Sequence, residues 1–247
     1  MMATVAAREL ADGEVVFVGI GLPNLACNLA RATHAPNLVL IYESGAVGAV
    51  PERLPVSIGD PALVTGSLMV CGMADVFQLF LQNGRIEVGF LGGAQVDRYG
   101  NINTTVIGPY ERPRVRLPGS GGAAEIAIHA RRTVIVSKLS PRAFPEQVDF
   151  VTSPGHRSGG VRRDELRMPG AGPLRVITDK AILAADPEAG ELILAALYPG
   201  VTAAEVKASV GWPLEAGRDV GCVDPPTARD LELLRRVLDP KKLYLKG

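Results

Sequence analysis

The stretch Leu38-Val39-Leu40-Ile41-Tyr42-Glu43-Ser44-Gly45 constrains the fold of this chain more than any other. Five apolar or aromatic residues run directly into a glutamate, a serine and a glycine. A short, continuous aliphatic run of this kind fits a strand buried on both faces of a parallel sheet. Glu43 then falls at or just past the carboxyl end of that strand, where ligands bind in open α/β sheets. A carboxylate placed there can be a helix cap, an ion-pair partner or a working group.

The rest of the chain repeats the theme. Glu14–Val18 reads as a strand that ends in the turn Gly19-Ile20-Gly21-Leu22-Pro23, and Asn24–Ala32 carries helical spacing. Asn24 stands where the dinucleotide fingerprint would need glycine or alanine, so a Rossmann reading is weak. Ala74–Leu81 suits a helix, and Glu87–Leu91 a buried strand closing in Gly92-Gly93-Ala94-Gln95-Val96-Asp97. Tyr99–Asn103 marks a hairpin-like turn, and 109–118 a surface loop. Pro118-Gly119-Ser120-Gly121-Gly122-Ala123-Ala124 leads into a helical segment. Thr133–Val136, Leu174–Thr178 and Leu192–Ala196 read as strands, and 155–173 as a long loop. Thr202 and Glu205 form a capping box, and Thr227–Leu238 an amphipathic helix. The expected fold is α/β, an open and mostly parallel sheet with helices on both faces. No composition break divides residues 1–247, so a single domain is expected.

Composition excludes several functions. A hydrophobic content of 47% supports a sizeable core, and 26 basic residues against 26 acidic ones remove the electrostatic footprint of a nucleic-acid or polybasic membrane binder. The three cysteines are far apart and unpaired by motif, which suits a reducing compartment. The amino terminus lacks an apolar core of signal-peptide length, and no uncharged apolar run is long enough to span a bilayer. A cytoplasmic protein without membrane or nucleic-acid partners is the expectation. His34, His129 and His156 are isolated, so no metal site is expected. Neither a G-x-S-x-G elbow nor a phosphate-binding G-x-x-x-x-G-K-[ST] loop occurs.

A carboxylate at a strand end and three small-residue turns remain: Gly19–Pro23, Gly92–Ala94 and Gly119–Ala123. Exposed N–H groups in such turns can bind an anion or an oxyanion. Converging on Glu43, they would suit covalent catalysis by a carboxylate with donors for the oxyanion. The alternative is that the glycines only make packing turns and Glu43 caps a helix or pairs with a cation.

In order along nearly the whole chain, Gly19–Pro23, Glu43-Ser44-Gly45, Ser57-Ile58-Gly59-Asp60, Gly92–Asp97, Gly100-Asn101-Ile102-Asn103 and Gly119–Ala123 resemble the β subunits of family I CoA-transferases. Val151-Thr152-Ser153-Pro154-Gly155 and Thr178-Asp179-Lys180 extend the match. Glu43-Ser44-Gly45 is similar to the glutaconate-type branch, whereas the oxoacid branch usually has asparagine where Ser44 sits. The resemblance implies a CoA-transferase-like fold and makes Glu43 the catalytic glutamate. It places Gly119, Gly121, Gly122 and Ala123 in a loop against CoA and the acyl group. Gly19, Gly21 and Gly93 join them as expected CoA-contacting positions. It further implies a separate α subunit that shares the active site, acyl-CoA and a carboxylic acid as substrates, and no bound cofactor, coenzyme A being substrate and product. Related proteins of steroid-ring degradation lack the glutamate and open rings of CoA esters by hydrolysis; Glu43 favours transfer. A non-catalytic CoA-binding assembly subunit is the third possibility.

Overall fold

The computed structural model describes residues 1–245. The chain forms two compact units, Met1–Phe90 with Pro225–Gly247, and Leu91–Asp224.

In the first unit, helix α1 (Met2–Arg8) precedes strand β1 (Val15–Phe17), helix α2 (Leu22–Ala32) and strand β2 (Val39–Ile41). Strands β3 (Ala46–Val47) and β4 (Met69–Val70), a short helix α3 (Met73–Asp75) and β5 (Val88–Leu91) follow. The strand order is β5-β1-β2-β3-β4. β1 lies parallel to both β2 and β5, with Phe17 opposite Ile41. β3 and β4 extend the edge as antiparallel ribbons. The centre of this sheet is dry: Val16, Val18, Leu40, Ile41 and Tyr42 are all fully buried. Helix α2 covers it with Leu25, Ala26, Leu29 and Ala30. Each large aliphatic side chain removed from water contributes about 1.5–3 kcal/mol, so these runs drive the unit together. Pro23 is tolerated because it sits in the first turn of α2, where its missing N–H would have no helical partner.

The expected helix over Ala74–Leu81 differs in detail. It opens as the single α turn of α3 and continues as a π-helical turn, Val76–Leu81, which places Phe77 against Phe17 at 5.6 Å. Likewise Ala228–Glu232 is α-helical and Leu233–Leu238 is π-helical, behind the N-cap Thr227. The connection after β3 is held by Asp60, whose carboxylate takes both terminal nitrogens of Arg53 (2.7 and 2.8 Å) and the N–H groups of Val56 and Ala62.

The second unit begins with three small hairpin ribbons. These are β6 (Gln95–Val96) with β7 (Ile102–Asn103), β8 (Val106–Ile107) with β9 (Val115–Arg116), and, after helix α4 (Ala123–His129) and strand β10 (Arg132–Val136), β11 (Arg157–Ser158) with β12 (Val161–Arg162). Two of them fall where loops were expected, over 109–118 and 155–173. Strands β13 (Pro173–Ile177), β14 (Ala181–Ala185), β15 (Leu192–Leu197) and β16 (Ala216–Cys222), with helix α5 (Ala203–Lys207) before β16, complete the unit in the order β16-β15-β14-β13-β10. β10 with β13 and β15 with β16 are parallel; the pairs in between are antiparallel. The architecture is therefore α/β on an open sheet, as expected, and the Thr202–Glu205 capping box is formed. Strands β14 and β16 have no counterpart in the sequence reading: Ala-Ile-Leu-Ala-Ala is a bounded apolar run whose alanines suit a helix as well as a strand, and Ala-Gly-Arg-Asp-Val-Gly-Cys shows neither alternation nor an apolar run. Among the described residues no helix is long and apolar enough to cross a membrane.

Candidate active site

Tyr42-Glu43-Ser44-Gly45 makes the tight turn from β2 into β3. The Gly45 N–H donates to the Tyr42 carbonyl at 2.9 Å, and the Tyr42 N–H to the Ala46 carbonyl at 3.0 Å. Gly45 has φ +107°, and a Cβ there would lie 1.9 Å from the carbonyl oxygen of Cys71, so only glycine fits. The Cys71 N–H returns a hydrogen bond to the Gly45 carbonyl at 3.0 Å. Below the turn, the fully buried Tyr42 hydroxyl accepts from Asn24 Nδ2 of α2 at 2.7 Å. Burial pushes the Tyr42 phenol above its usual range and keeps it neutral. Asn28 Nδ2 donates to Asn24 Oδ1, and Arg31 Nη1 to the Ala49 carbonyl beyond β3. Helix α2 thus pins the turn on both sides. Glu43 itself is half-buried, and its carboxylate makes no hydrogen bond or ion pair among the described residues. Among the described residues it is therefore neither a helix cap nor an ion-pair partner.

The Gly19–Gly21 turn leaves the same carboxyl edge, because β1 and β2 run parallel and in register. Gly21 is the N-cap of α2, with φ +103° and no side-chain cap. The Tyr244 hydroxyl stands over it, donating to the Pro55 carbonyl and accepting from the Gly21 backbone N–H. Tyr244 is fixed in turn by Asp239, whose carboxylate accepts from the N–H groups of Leu243, Tyr244 and Leu245.

The remaining expected site residues lie in the second unit, where Gly93 and Gly119 both adjoin Thr104. The Gly119 N–H donates to the Thr104 carbonyl at 2.8 Å, and Thr104 Oγ1 returns a bond to the Gly119 carbonyl at 2.7 Å. A Cβ at Gly93 would lie 2.3 Å from Ile102 Cγ2 and 3.0 Å from the Asn103 carbonyl. Gly121 continues the loop, Gly122 is the N-cap of α4 and Ala123 is its first residue. Behind them runs a buried polar network. Asp97 accepts from the N–H groups of Tyr99 and Asn101 and from Asn101 Nδ2; burial, the largest influence, pushes its pKa up. Asn103 Nδ2 donates to Gln95 Oε1, and the Gly155 N–H to Asn101 Oδ1. The polar residues of the Gly92–Asp97 and Gly100–Asn103 motifs therefore shape the hairpin that carries Gly93. The buried Arg163 guanidinium faces carbonyls alone, including Ala127, Ile128, Gly155 and Gly170, and so ties down the carboxyl end of α4. Burial lowers its pKa to about 10.

Asn24, Thr104, Arg163 and Tyr244 were not singled out by sequence reasoning. Only Asn24 carried a signal, as the residue that breaks the dinucleotide fingerprint. The other three reach distant partners: Thr104 bonds Gly119, Arg163 bonds Ile128 and Tyr244 bonds Pro55, 15, 35 and 189 residues away in the chain.

Against known proteins, residues 1–209 match the family model described as coenzyme A transferase. The chain is 52% identical over 237 residues to the B subunit of 3-oxoadipate CoA-transferase from Pseudomonas knackmussii, covering 95% of this chain and 90% of that one. It is 35% identical over 251 residues to the B subunit of glutaconate CoA-transferase from Acidaminococcus fermentans, covering 100% and 94%. The crystal structure of the Acidaminococcus enzyme superimposes with a TM-score of 0.92 at 33% identity, covering 100% of this chain and 96% of that one. A more distant relative, the cholesterol ring-cleaving hydrolase IpdB subunit of Rhodococcus jostii, is 28% identical, covering 90% and 83%.

Proposed function

Since the chain belongs to the coenzyme A transferase family, we propose that it is the β subunit of a two-chain CoA-transferase and that Glu43 is its nucleophile. The observation that carries this reading is the state of Glu43. Its carboxylate stands at the carboxyl end of a buried strand, on a turn held by α2 and Cys71, with no partner among the described residues.

The chemistry balances without an external energy source. A Glu43 carboxylate oxygen attacks the thioester carbonyl of an acyl-CoA; the C–S bond breaks, CoA leaves as thiolate, and a mixed anhydride joins Glu43 to the acyl group. The thiolate attacks the Glu43 carbonyl, expelling the first acid and leaving a glutamyl-CoA thioester. The acceptor carboxylate attacks that thioester and the sequence runs in reverse, regenerating Glu43. Exchanging one thioester for another needs no nucleotide, which accords with the missing phosphate-binding loop. Two half-reactions predict ping-pong kinetics. Backbone N–H groups of the Gly19–Gly21, Gly93 and Gly119–Ala123 turns are the proposed contacts for CoA and the acyl oxygens. Losing one oxyanion donor costs on the order of 10²–10³ in rate.

The test is chemical. The complex with its α subunit is incubated with acyl-CoA and trapped with hydroxylamine or borohydride, which should modify Glu43 alone. Modification elsewhere, or none under turnover, ends this reading. Full activity in Glu43→Ala would instead make the chain an assembly subunit. Continuous CoA release without acceptor acid would make it a hydrolase, the activity named for the IpdB relative.

A further inference from the structure

We propose that the uncharged ribbon from Val64 to Met73 is the surface on which the separate CoA-transferase α subunit docks, so that the partner closes over the strand adjoining the Glu43 turn. This rests on the two-chain reading above.

Exposed single aliphatic residues are ordinary on protein surfaces, but a contiguous apolar patch marks an interaction site. Here Val64, Leu68, Met69, Val70 and Met73 are 52%, 78%, 41%, 61% and 54% exposed within one stretch. Residues 62–74 contain no charged side chain at all. Met69–Val70 is also the outermost strand of its sheet, hydrogen-bonded only to β3 among the described residues. Edge strands are normally protected by charges, prolines or bulges, because a bare apolar edge invites pairing with another chain. This edge has none of those three devices and only its two-residue length limits pairing; it is the exposed apolar side chains around it that mark the ribbon for a partner.

The position of the ribbon says what covers it. Cys71, the residue after β4, is bonded to Gly45 in the Glu43 turn, and its carbonyl packs against the Gly45 Cα. Leu68 lies over Gly48, close enough that a Cβ there would fall 2.7 Å from its side chain. Whatever seats on the ribbon therefore adjoins the turn that presents the nucleophile. A partner that completes a substrate pocket around Glu43 belongs there, and for this enzyme class that partner is the α subunit. A second copy of this chain would bring another Glu43 turn and no complementary half.

The experiment uses the full-length chain co-expressed with a CoA-transferase α subunit of the same organism. Leu68→Glu combined with Val70→Lys should weaken the complex at least about 100-fold in a titration. The variant chain should melt close to the wild type, since both side chains are mostly exposed. Val237→Glu, at a 61% exposed apolar residue elsewhere in the same unit, should leave binding unchanged. Hydrogen exchange on the unmutated pair gives an independent reading: amides of residues 64–73 should slow at least about tenfold when the α subunit is added. Undiminished binding by the double variant, or unprotected amides in a complex that does form, overturns the surface while leaving the proposed activity standing. A homodimer that the double variant abolishes while α binding persists also overturns it. Failure of the unmutated chain to bind any α subunit, with transfer activity by this chain alone, would instead remove the two-chain reading itself.

Discussion

Removing one oxygen atom beneath the Glu43 turn should show whether α2 sets the position of the nucleophile. In Tyr42→Phe, the Asn24 Nδ2 donor loses its acceptor in a site where both residues are fully buried. Asn24 cannot rotate to compensate, because Asn28 already holds its Oδ1 at 3.1 Å and its backbone carbonyl at 2.9 Å. A buried donor left without a partner costs about 1–3 kcal/mol. For a chain of this size each kcal/mol lowers Tm by about 2–4 °C, so the drop should be about 2–12 °C. Replacing both partners by apolar groups of similar shape is nearly neutral, so Asn24→Leu in the Tyr42→Phe background should recover most of the lost stability. Activity should separate from stability. With the hydrogen bond gone the Glu43 turn can shift, and a misplacement of about 1 Å costs up to ~10² in rate. The double variant should therefore regain its melting temperature while kcat stays at least tenfold down and KM for acyl-CoA is little changed. Calorimetry and steady-state kinetics on these two variants and on Asn24→Leu alone complete the cycle. If Tyr42→Phe melts within about 1 °C of the wild type and turns over at full rate, the Asn24–Tyr42 bond does not position the turn.

Three further outcomes are expected. Gly45→Ala should lower Tm by more than any exposed substitution and reduce kcat, because its Cβ would meet the Cys71 backbone at 1.9 Å where nothing flexible can yield; an unaffected variant would contradict that packing. Arg53, with the Val56 and Ala62 N–H groups, holds the Asp60 carboxyl well below the usual carboxylate range. A depressed folded-state pKa gives stability that is fully present above the unfolded value near 4 and lost as pH falls further. The Tm gap between wild type and Asp60→Asn should thus be constant from about pH 6 to 7 and narrow on acidification below about pH 4, and a gap that widens in acid would refute the assignment. Arg163→Leu leaves several buried carbonyls unpaired at the end of α4 and should destabilise by about 2–4 kcal/mol, read by denaturant titration.

The local order of elements was written in the chain. The aliphatic run Leu38–Ile41 is buried because nothing in it can be solvated cheaply, and it does end at Glu43 on the carboxyl edge of a parallel strand pair. The Thr202–Glu205 box and the glycine before α4 were legible because caps act within four residues. The strands β14 and β16 were not: an alanine-rich or glycine-containing segment becomes a strand only when a neighbour supplies the ladder, and that neighbour is decided by the sheet.

The site divides in the same way. Residue type and place along the chain nominated Glu43 and its glycine turns, since a carboxylate after a buried strand is a short-range pattern. Whether that carboxylate was already occupied could not be read from sequence, because caps and ion pairs to it can come from any distance. Only the folded chain leaves Glu43 without a partner among the described residues, seats Gly45 on Cys71, and ties Tyr42 to Asn24. The exposed ribbon at Leu68–Val70 follows the same logic. Its apolar sequence fits a core strand equally well, and tertiary structure alone puts it at the rim with its side chains exposed.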